Sequence, residues 1–260
     1  MKTEIIKPII RVGNSAGVLV PKDWMNGNAK VELVTKPINV KKDVLELLNP
    51  YLEEVMGIYL IGSYARGEQT ERSDIDVLTI TNKKSGRIKK GKYDILLITK
   101  DSTNEAVKNN ALPIIPMLKE AKAIINEKLI EQYKKAELNK GNLKPYIELG
   151  KSILKVNQAS IDLDRELSSN CDDAVAYSLV LRLRSAYIID CIKKGQKWSN
   201  SDLLSLIKKI SGSLKAYEGY LRVKDDRSEK EDLPILEAEK LYNYVLKKIK
   251  EHEEWAKRKR

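Results

Sequence analysis

Residues Gly62–Asp76 read GSYARGEQTERSDID, and this stretch decides the fold. It follows the apolar run Ile58–Ile61 and ends in the apolar run Ile75–Ile80, and each run is typical of a buried strand. The Gly-Ser pair between the runs predicts a strand that turns sharply into a helix. Strand, turn, helix and strand in this order favour a unit that combines helices with a sheet.

The Gly-Ser turn has the chemistry of a phosphate site. The first N–H groups of a helix lack internal partners and lie at the positive end of the helix dipole, so they attract phosphate oxygens. Gly62 permits close approach because it has no Cβ, Ser63 adds a hydroxyl donor and Arg66 adds a fixed positive charge. A Gly-Ser turn alone is a weak signal, so its meaning depends on its surroundings.

Three aspartates accompany this turn. Asp74 and Asp76 are two residues apart at the start of a strand, so their side chains share a face. Asp94 lies near the start of the apolar run Tyr93–Ile98, and an adjacent strand would bring it to the same edge. Neighbouring carboxylates repel unless a cation lies between them, and their oxygens suit Mg²⁺. Three carboxylates predict two ions about 3.5–4 Å apart, whereas an isolated Asp-x-Asp would indicate only an exposed strand edge or a capped turn.

The hydrophobic pattern predicts an α+β protein with three regions, which are 1–38, 39–140 and 141–260. The first is rich in β-branched residues and predicts short strands with turns at Gly13-Asn14 and Asn26-Gly27, before a linker at Pro37–Asn39. The third is almost wholly of helical period and predicts a bundle. Its expected helices lie near 146–167, 172–194, 201–220 and 234–257, before a solvated tail, Lys257–Arg260.

The central region predicts a mixed sheet flanked by helices. A helix is expected from Lys41 to about Val55, ended by Gly57. The basic stretch Lys83–Lys92 suits a hairpin or loop, which would either steer a nucleic acid or carry solvated lysines. The remaining expected elements are helices near Thr103–Asn109 and Glu127–Leu138 and an apolar run at Ala123–Ile125.

Gly62-Ser63, ten further residues, Asp74-Ile75-Asp76 and a later Asp94 together resemble the motif of the DNA polymerase beta-like nucleotidyltransferases. The details Ala65-Arg66-Gly67 and Ser73-Asp74 look like the minimal nucleotidyltransferases of prokaryotes. The resemblance covers roughly residues 42 to 140. A compound motif between two predicted strands is far more specific than any of its parts.

The resemblance implies a reaction in which an acceptor attacks the α-phosphate of a nucleoside triphosphate and pyrophosphate leaves. Asp74 and Asp76 would hold the Mg²⁺ on the triphosphate, and all three aspartates would hold a second Mg²⁺ at the acceptor. Asp94 would also help to deprotonate an acceptor hydroxyl. Positioning and charge neutralisation supply most of such catalysis.

The N-terminal segment RVGNSAGVLVPKDW is similar to the swapped-hairpin AbrB family, which includes antitoxins of MazE type. The resemblance rests on Gly13-Asn14-Ser15 and Val20-Pro21-Lys22, and it implies a homodimer that binds DNA through Arg11, Asn14 and Lys22. The alternative is a small β extension that dimerises the protein without touching nucleic acid, in which Asn14 and Gly17 only serve the turns.

The C-terminal helices faintly resemble the HEPN domains often found beside minimal nucleotidyltransferases. The ribonuclease form of that family needs an Arg at a fixed distance before its His. In this chain Lys247 occupies that position relative to His252. Ribonuclease activity is therefore not expected. A helical bundle that shapes the acceptor pocket is the favoured interpretation.

Composition narrows the classes of protein. The net charge is +11, which favours polyanions such as nucleotides, DNA or RNA, although solvated lysine-rich faces would give the same balance. No stretch approaches the ~18 consecutive apolar residues of a membrane span, and the N-terminus lacks the apolar core of a secretion signal. We therefore expect a cytoplasmic protein without membrane contact. Cys171 and Cys191 are expected in helices as packing residues, and His252 as the single histidine makes histidine-based zinc chemistry improbable.

Two functional hypotheses follow. The first is an enzyme that transfers a nucleoside monophosphate, AMP from ATP by expectation, to a protein, an RNA end or a small molecule. The resemblances of both flanks imply a toxin–antitoxin setting, in which a self-regulating antitoxin with a protein acceptor would fit. The second is a transcriptional regulator that binds an operator through its N-terminal region and uses the transferase fold only to sense nucleotide.

Overall fold

The structure is a computed structural model that describes residues 4–34, 38–71, 73–227 and 232–258. Pro37 of the predicted linker and Lys259 and Arg260 of the predicted tail lie outside the described residues. The chain forms two compact units, Met1–Asn39 and Val40–Arg260. The predicted boundary at residue 140 falls inside the second unit and stays a prediction.

The N-terminal unit contains one small hairpin. Strands β1 (Ile10–Val12) and β2 (Ser15–Gly17) pair antiparallel, and Gly13 at the turn has φ +59°. A short 3-10 helix, Lys22–Trp24, follows. The predicted turn at Asn26-Gly27 is present, but residues 28–34 form no strand, so the expectation of a second strand pair is wrong. Residues 28–34 are all exposed, and an isolated pair of strands is marginal in water.

None of the described residues 4–34 is buried, although many are large and apolar. Those exposed in this range are Ile5, Ile6, Ile9, Ile10, Val12, Leu19, Val20, Met25, Val31, Leu33 and Val34. A unit of this size is too small to bury a core by itself. These side chains therefore present an apolar surface that only another chain or another segment can cover.

The second unit contains a five-stranded sheet, and its mixed strand directions agree with the prediction. Its strands are β3 (Val55–Leu60), β4 (Ile75–Thr81), β5 (Gly86–Lys90), β6 (Tyr93–Thr99) and β7 (Lys122–Ile125). The order across the sheet is β5-β6-β4-β3-β7. β4 and β6 run parallel, and the other neighbours run antiparallel. The two parallel strands therefore begin at the same edge of the sheet.

Helices cover both faces of this sheet. They are α1 (Val40–Leu48), α2 (Gly62–Arg66), α3 (Lys100–Asn109), α4 (Ile114–Glu120) and α5 (Glu127–Lys134). Val77 of β4 packs in a core with Leu48 of α1, whereas its neighbour Leu78 packs with Leu118 of α4 on the other face. Because alternate residues of a strand share a face, Asp76 lies on the α4 face together with Leu78.

The predicted end of the first helix is wrong. α1 stops at Leu48, a 3-10 helix spans Asn49–Glu54, and Gly57 lies within β3 rather than after a helix. Pro50 has no N–H to continue an α-helix. A Cβ on Gly57 would collide with the Tyr59 side chain, so this glycine makes room for a buried ring instead of ending a helix.

The C-terminal region is helical, as predicted, and consists of α6 (Lys140–Glu166), α7 (Asp173–Lys194), α8 (Asn200–Ser211), α9 (Lys215–Lys224) and α10 (Ile235–Arg258). The expected third helix is two helices, because Gly212 adopts φ +99° and ends α8. Leu179 and Leu183, four residues apart in α7, are both buried. The same core includes Ala111 and Ile115, so it continues into the sheet region.

Cys171 and Cys191 are both buried and free, as expected of packing residues. Cys191 lies in α7, but Cys171 lies outside the helices, where its backbone pairs with that of Leu233. The placement of Cys171 in a helix was therefore wrong. No helix in the described part of the chain is long and apolar enough to cross a bilayer.

Candidate active site

Asp76 and Asp94 are neighbours on two adjacent parallel strands. Asp76 of β4 is the register partner of Asp94 of β6, and each is the second residue of its strand. Adjacent strands lie about 4.8 Å apart. Residues paired in register point to the same face, so the two carboxylates lie side by side at the edge where both strands begin.

The Gly-Ser corner lies directly against this pair. Gly62 has φ +67° and opens α2, and the N–H of Ile61 donates to the carbonyl of Asp76 at 3.0 Å. A Cβ added to Gly62 would collide with the Asp76 carboxylate. Glycine is therefore required both by the backbone conformation and by the space that Asp76 occupies. Ser63 follows at once in α2 and is half-buried.

The carboxylates crowd one another. Burial raises the pKa of Asp76, and the charges of Asp94, Asp74 and Glu120 raise it further, while Lys224 opposes them. Asp74 is exposed and lies just before β4, close enough for its charge to act on Asp76. A partly buried group of like charges of this kind favours a cation between its members.

Asp94 has cationic partners from the neighbouring edge strand. The Arg87 guanidinium donates from Nε to Oδ1 at 2.5 Å and from Nη2 to Oδ2 at 2.6 Å, and Lys89 Nζ lies 3.6 Å from Oδ2. The hydrogen bonds from Arg87 hold the pKa of Asp94 below its usual value despite partial burial. Both oxygens of this carboxylate are thus neutralised within the chain.

Arg66 is held by two glutamates. Its Nη1 donates to Glu120 Oε2 at 2.6 Å and its Nε donates to Glu68 Oε2 at 2.8 Å. Glu120 also accepts the Gly62 N–H on its other oxygen at 2.8 Å. Arg66 therefore holds Glu68 and Glu120 in place beside the Gly-Ser turn. Its contact with phosphate stays a prediction. Glu120 was not foreseen, since it lies 58 residues from Gly62 in sequence.

The helical region also reaches the site. Trp198, between α7 and α8, donates from Nε1 to Glu120 Oε2 at 3.1 Å, and the N–H of Asn200 donates to Glu68 Oε1 at 2.9 Å. Lys224 at the end of α9 acts on Asp76 through its charge. Helical periodicity gives no signal for such contacts, because it predicts which face is buried and not what lies against the ends of a helix.

The donor set fits a hard divalent cation. Carboxylate oxygens are the ligands that Mg²⁺ prefers, and a cation would offset the repulsion that Asp94, Asp74 and Glu120 exert on the partly buried Asp76. Within the described residues, no three acidic, histidine or cysteine side chains already form a closed metal cage. At Asp94, Arg87 stands where a cation would have to bind, so an ion would have to displace that guanidinium.

The N-terminal candidates lie in the other compact unit. Arg11, Asn14 and Lys22 are all exposed, and Arg11 Nε donates to the carbonyl of Gly13 at 3.0 Å, which braces the β1–β2 turn. These positions are compatible with either a DNA contact or a purely conformational role. DNA binding by this unit stays a prediction.

Residues 38–144 match a known protein family, described as "Nucleotidyltransferase domain". This range contains a nucleotidyltransferase domain. It includes every candidate residue of the catalytic site from Gly62 to Asp94, and also the two residues that contact them, Arg87 and Glu120. The family supports transfer of a nucleotidyl group as the general class of reaction. The match reaches neither the first 37 residues nor most of the helical region, so the AbrB-like and HEPN-like resemblances stay predictions.

Among solved structures, the chain is similar to a nucleotidyltransferase-like protein from Exiguobacterium sibiricum 255-15. The two share 13% identity with a TM-score of 0.34, and the similarity covers 82% of this chain and 75% of that one. No curated protein matched the chain.

Proposed function

We propose that the protein transfers a nucleoside monophosphate to an acceptor hydroxyl. The expected donor is ATP, so the transferred group would be AMP. The observation that carries the proposal is the pairing of Asp76 with Asp94 beside Gly62, inside a matched nucleotidyltransferase domain. The acceptor oxygen forms a bond to the α-phosphorus, and the bond between the α-phosphorus and the bridging oxygen breaks. Pyrophosphate leaves with that electron pair, and the acceptor proton passes by way of Asp94 to solvent.

Each residue has a defined task in this proposal. Gly62 and Ser63 anchor the terminal phosphates, and Asp74, Asp76 and Asp94 would hold two Mg²⁺ ions. When bound, those ions supply neutralisation of the charge that builds up on the phosphate oxygens. Asp94 is a weak base while Arg87 holds its pKa low, so its use as a proton acceptor requires Arg87 to move away.

Label transfer tests the proposal. The protein is incubated with Mg²⁺ and each of four α-labelled nucleoside triphosphates, with its own chain, a short RNA and an aminoglycoside offered as acceptors. We expect release of pyrophosphate and labelling of one acceptor, with a loss of about a hundredfold or more in Asp76→Asn. Asp101→Asn is the matched control, because it removes one exposed carboxylate at the start of α3, beyond the opposite end of β6. Equal rates in Asp76→Asn and Asp101→Asn would overturn the proposal.

A second candidate function is a DNA-binding regulator that senses nucleotide. It is favoured by the separate N-terminal unit, whose exposed Arg11 and Lys22 suit phosphate contacts. A gel shift on the DNA upstream of the gene, lost in Arg11→Ala, with no label transfer under any condition would support it. A self-regulating enzyme of antitoxin type would show both activities, with transfer intact in Arg11→Ala.

A further inference from the structure

The edge strand next to Asp94 is strongly basic. Residues 82–92 read NKKSGRIKKGK and contain no acidic side chain; the cations are Lys83, Lys84, Arg87, Lys89, Lys90 and Lys92. β5 lies within this stretch at the edge of the sheet and pairs only with β6 among the described strands. Lysines on an edge strand also deter aggregation, so the charge alone does not define a binding site.

The alternation of side chains separates these cations into two groups. In the β5–β6 register Lys89 is paired with Asp94, and Arg87 lies two residues away on the same face. Lys90 is the neighbour of Lys89 and points to the opposite face. Arg87 and Lys89 therefore share the face of the catalytic carboxylates, whereas Lys90 carries the same charge on the same strand without facing them.

Arg87 and a divalent cation compete for one carboxylate. Arg87 occupies both oxygens of Asp94, so an ion bound by Asp94 must displace at least one of these hydrogen bonds. The side chain of Arg87 is 60% exposed and that of Lys89 is 70% exposed, so both can turn away without disturbing a core. A guanidinium released in this way has a planar fork of donors that matches a phosphate group.

The position of β5 indicates which substrate these cations would meet. Gly62 follows β3, on one side of the β4–β6 pair, and β5 lies on the other side. In an in-line displacement the attacking and leaving oxygens lie on opposite sides of the phosphorus. If the triphosphate is anchored at Gly62-Ser63, the acceptor approaches from the side of β5.

We propose that Arg87 and Lys89 bind the phosphate of a single-stranded nucleic-acid acceptor next to its attacking hydroxyl, and that Asp94 blocks this site until Mg²⁺ takes its carboxylate. This inference rests on the proposed transferase function and adds the acceptor class. The basic hairpin favours a polyanion through its long-range field. It would repel a polycation such as an aminoglycoside, and its one apolar side chain, Ile88, packs against a core of the sheet region.

Oligonucleotide binding tests this site without requiring turnover. The probe is a fluorescein-labelled single-stranded RNA of about twelve nucleotides, added to the full chain with saturating Mg²⁺ and the α,β-methylene analogue of ATP. Near 150 mM salt the Debye length is about 8 Å, so contacts dominate over the distant field. We expect Arg87→Gln and Lys89→Gln each to weaken binding about tenfold and to lower the salt slope by about one. Lys90→Gln should change affinity less than about twofold.

Metal affinity supplies a second readout with the opposite sign. Titration calorimetry with Mn²⁺ alone should show tighter binding in Arg87→Gln than in the wild type, because a competing cation is gone from Asp94. Lys90→Gln should match the wild type. A merely structural Arg87 would not strengthen metal binding while weakening RNA binding in one and the same variant.

Several results would overturn the inference. Equal losses of RNA affinity in Lys89→Gln and Lys90→Gln would leave only a solvated basic edge. Label arriving on a protein acceptor, with Arg87→Gln and Lys89→Gln as active as the wild type, would assign the acceptor to another class. If the protein binds the ATP analogue and releases pyrophosphate from ATP but does not bind RNA, this inference alone is refuted. Failure to bind the analogue and to release pyrophosphate would instead refute the proposed function.

Discussion

Gly62 is the residue at which the phosphate corner meets the carboxylates. Its φ of +67° and its contact with Asp76 exclude a side chain for two separate reasons. Gly67 offers a matched control, since it has φ +77° and open space where a Cβ would stand. The two positions therefore separate backbone strain from intrusion into the site.

We expect Gly62→Ala and Gly67→Ala each to lower the free energy of unfolding by about 1 kcal/mol through the strained backbone. Only Gly62→Ala should also lose nucleotidyl transfer, by about a hundredfold, because its Cβ displaces the Asp76 carboxylate. Thermal unfolding and pyrophosphate release measure the two effects. Retention of full activity in Gly62→Ala would show that the corner does not position Asp76.

Asp76 gives a pH-dependent prediction. Burial and the neighbouring acidic charges raise its pKa, so the folded chain holds this proton more tightly than the unfolded chain. The free energy of unfolding should therefore fall as pH rises from the usual Asp pKa through the raised value. Without divalent cations, Asp76→Asn should be more thermostable than the wild type at pH 7 and should lack this fall.

The same variant should lose the stabilisation that Mg²⁺ confers on the wild type, because a ligand stabilises only a chain that binds it. Thermal unfolding between pH 4 and pH 8, with and without Mg²⁺, provides the measurement. A wild type and an Asp76→Asn variant with parallel pH profiles would contradict the assignment of the raised pKa to Asp76.

Part of the geometry of the candidate site could be predicted from the sequence. The spacing of Gly62, Asp74 and Asp76 predicted neighbours that lie close together, because turn and strand geometry act over short distances along the chain. Glu120 and Trp198 were not predictable, since their contacts join residues 58 and 78 positions apart in sequence and depend on how separate elements pack. Arg87 lay within a recognised basic run, but its pairing with Asp94 required the register of β5.

At the scale of elements, the predictions failed where a single glycine or proline is compatible with more than one local structure. Gly57 indicated a helix end, yet it serves a buried Tyr59 ring within β3. α4 was missed because Pro113 and Pro116 interrupt the pattern that marks a helix, although both fall in or before its first turn, where proline is tolerated. Strands with continuous apolar runs, such as β4, were predicted well.

The loop between α7 and α8 connects the helical region to the corner through Trp198. We expect Trp198→Phe, which keeps a ring but loses the indole N–H, to lower the free energy of unfolding by about 1–2 kcal/mol, since the bond joins a charged acceptor. The KM for the triphosphate should rise several-fold, because Glu120 then positions Gly62 and Arg66 less firmly. Steady-state kinetics and urea unfolding measure this, with Trp24→Phe in the N-terminal unit as the control. A Trp198→Phe variant with unchanged KM and stability would show that this loop does not support the site.

At the scale of the whole molecule, the described residues of the N-terminal unit bury no core of their own. Its exposed apolar side chains need a partner surface, and a second copy of the chain, as the AbrB-like resemblance implies, is the predicted partner. Ile6 is 83% exposed and is the most accessible of them. We expect Ile6→Asp to shift the protein from dimer toward monomer, because a charge cannot be buried there without cost.

Sedimentation velocity measures this change. Lys7→Asp is the matched control, since it adds the same carboxylate at the adjacent exposed position but removes no apolar surface, and it should remain dimeric. A wild-type chain that sediments as a monomer at micromolar concentration would contradict the predicted dimer.

The overall architecture was predictable because composition and period change along the chain. β-branched residues, apolar strands and helical period mark three successive regions, and the structure shows a hairpin, a mixed sheet and a helical region in that order. The close association of the sheet and the helices was not predictable, because Ala111 and Ile115 enter the helical core through packing that no single segment encodes.

The central claim is that the aspartates converge on divalent cations beside a triphosphate held at Gly62-Ser63. A crystal structure grown with Mn²⁺ and the α,β-methylene analogue of ATP tests it most directly, because manganese is located by its anomalous scattering. The account predicts manganese bound by Asp76 and Asp94, the triphosphate against Gly62-Ser63, and Arg87 turned away from Asp94. Manganese at another site, or a triphosphate bound away from the Gly-Ser corner, would contradict it.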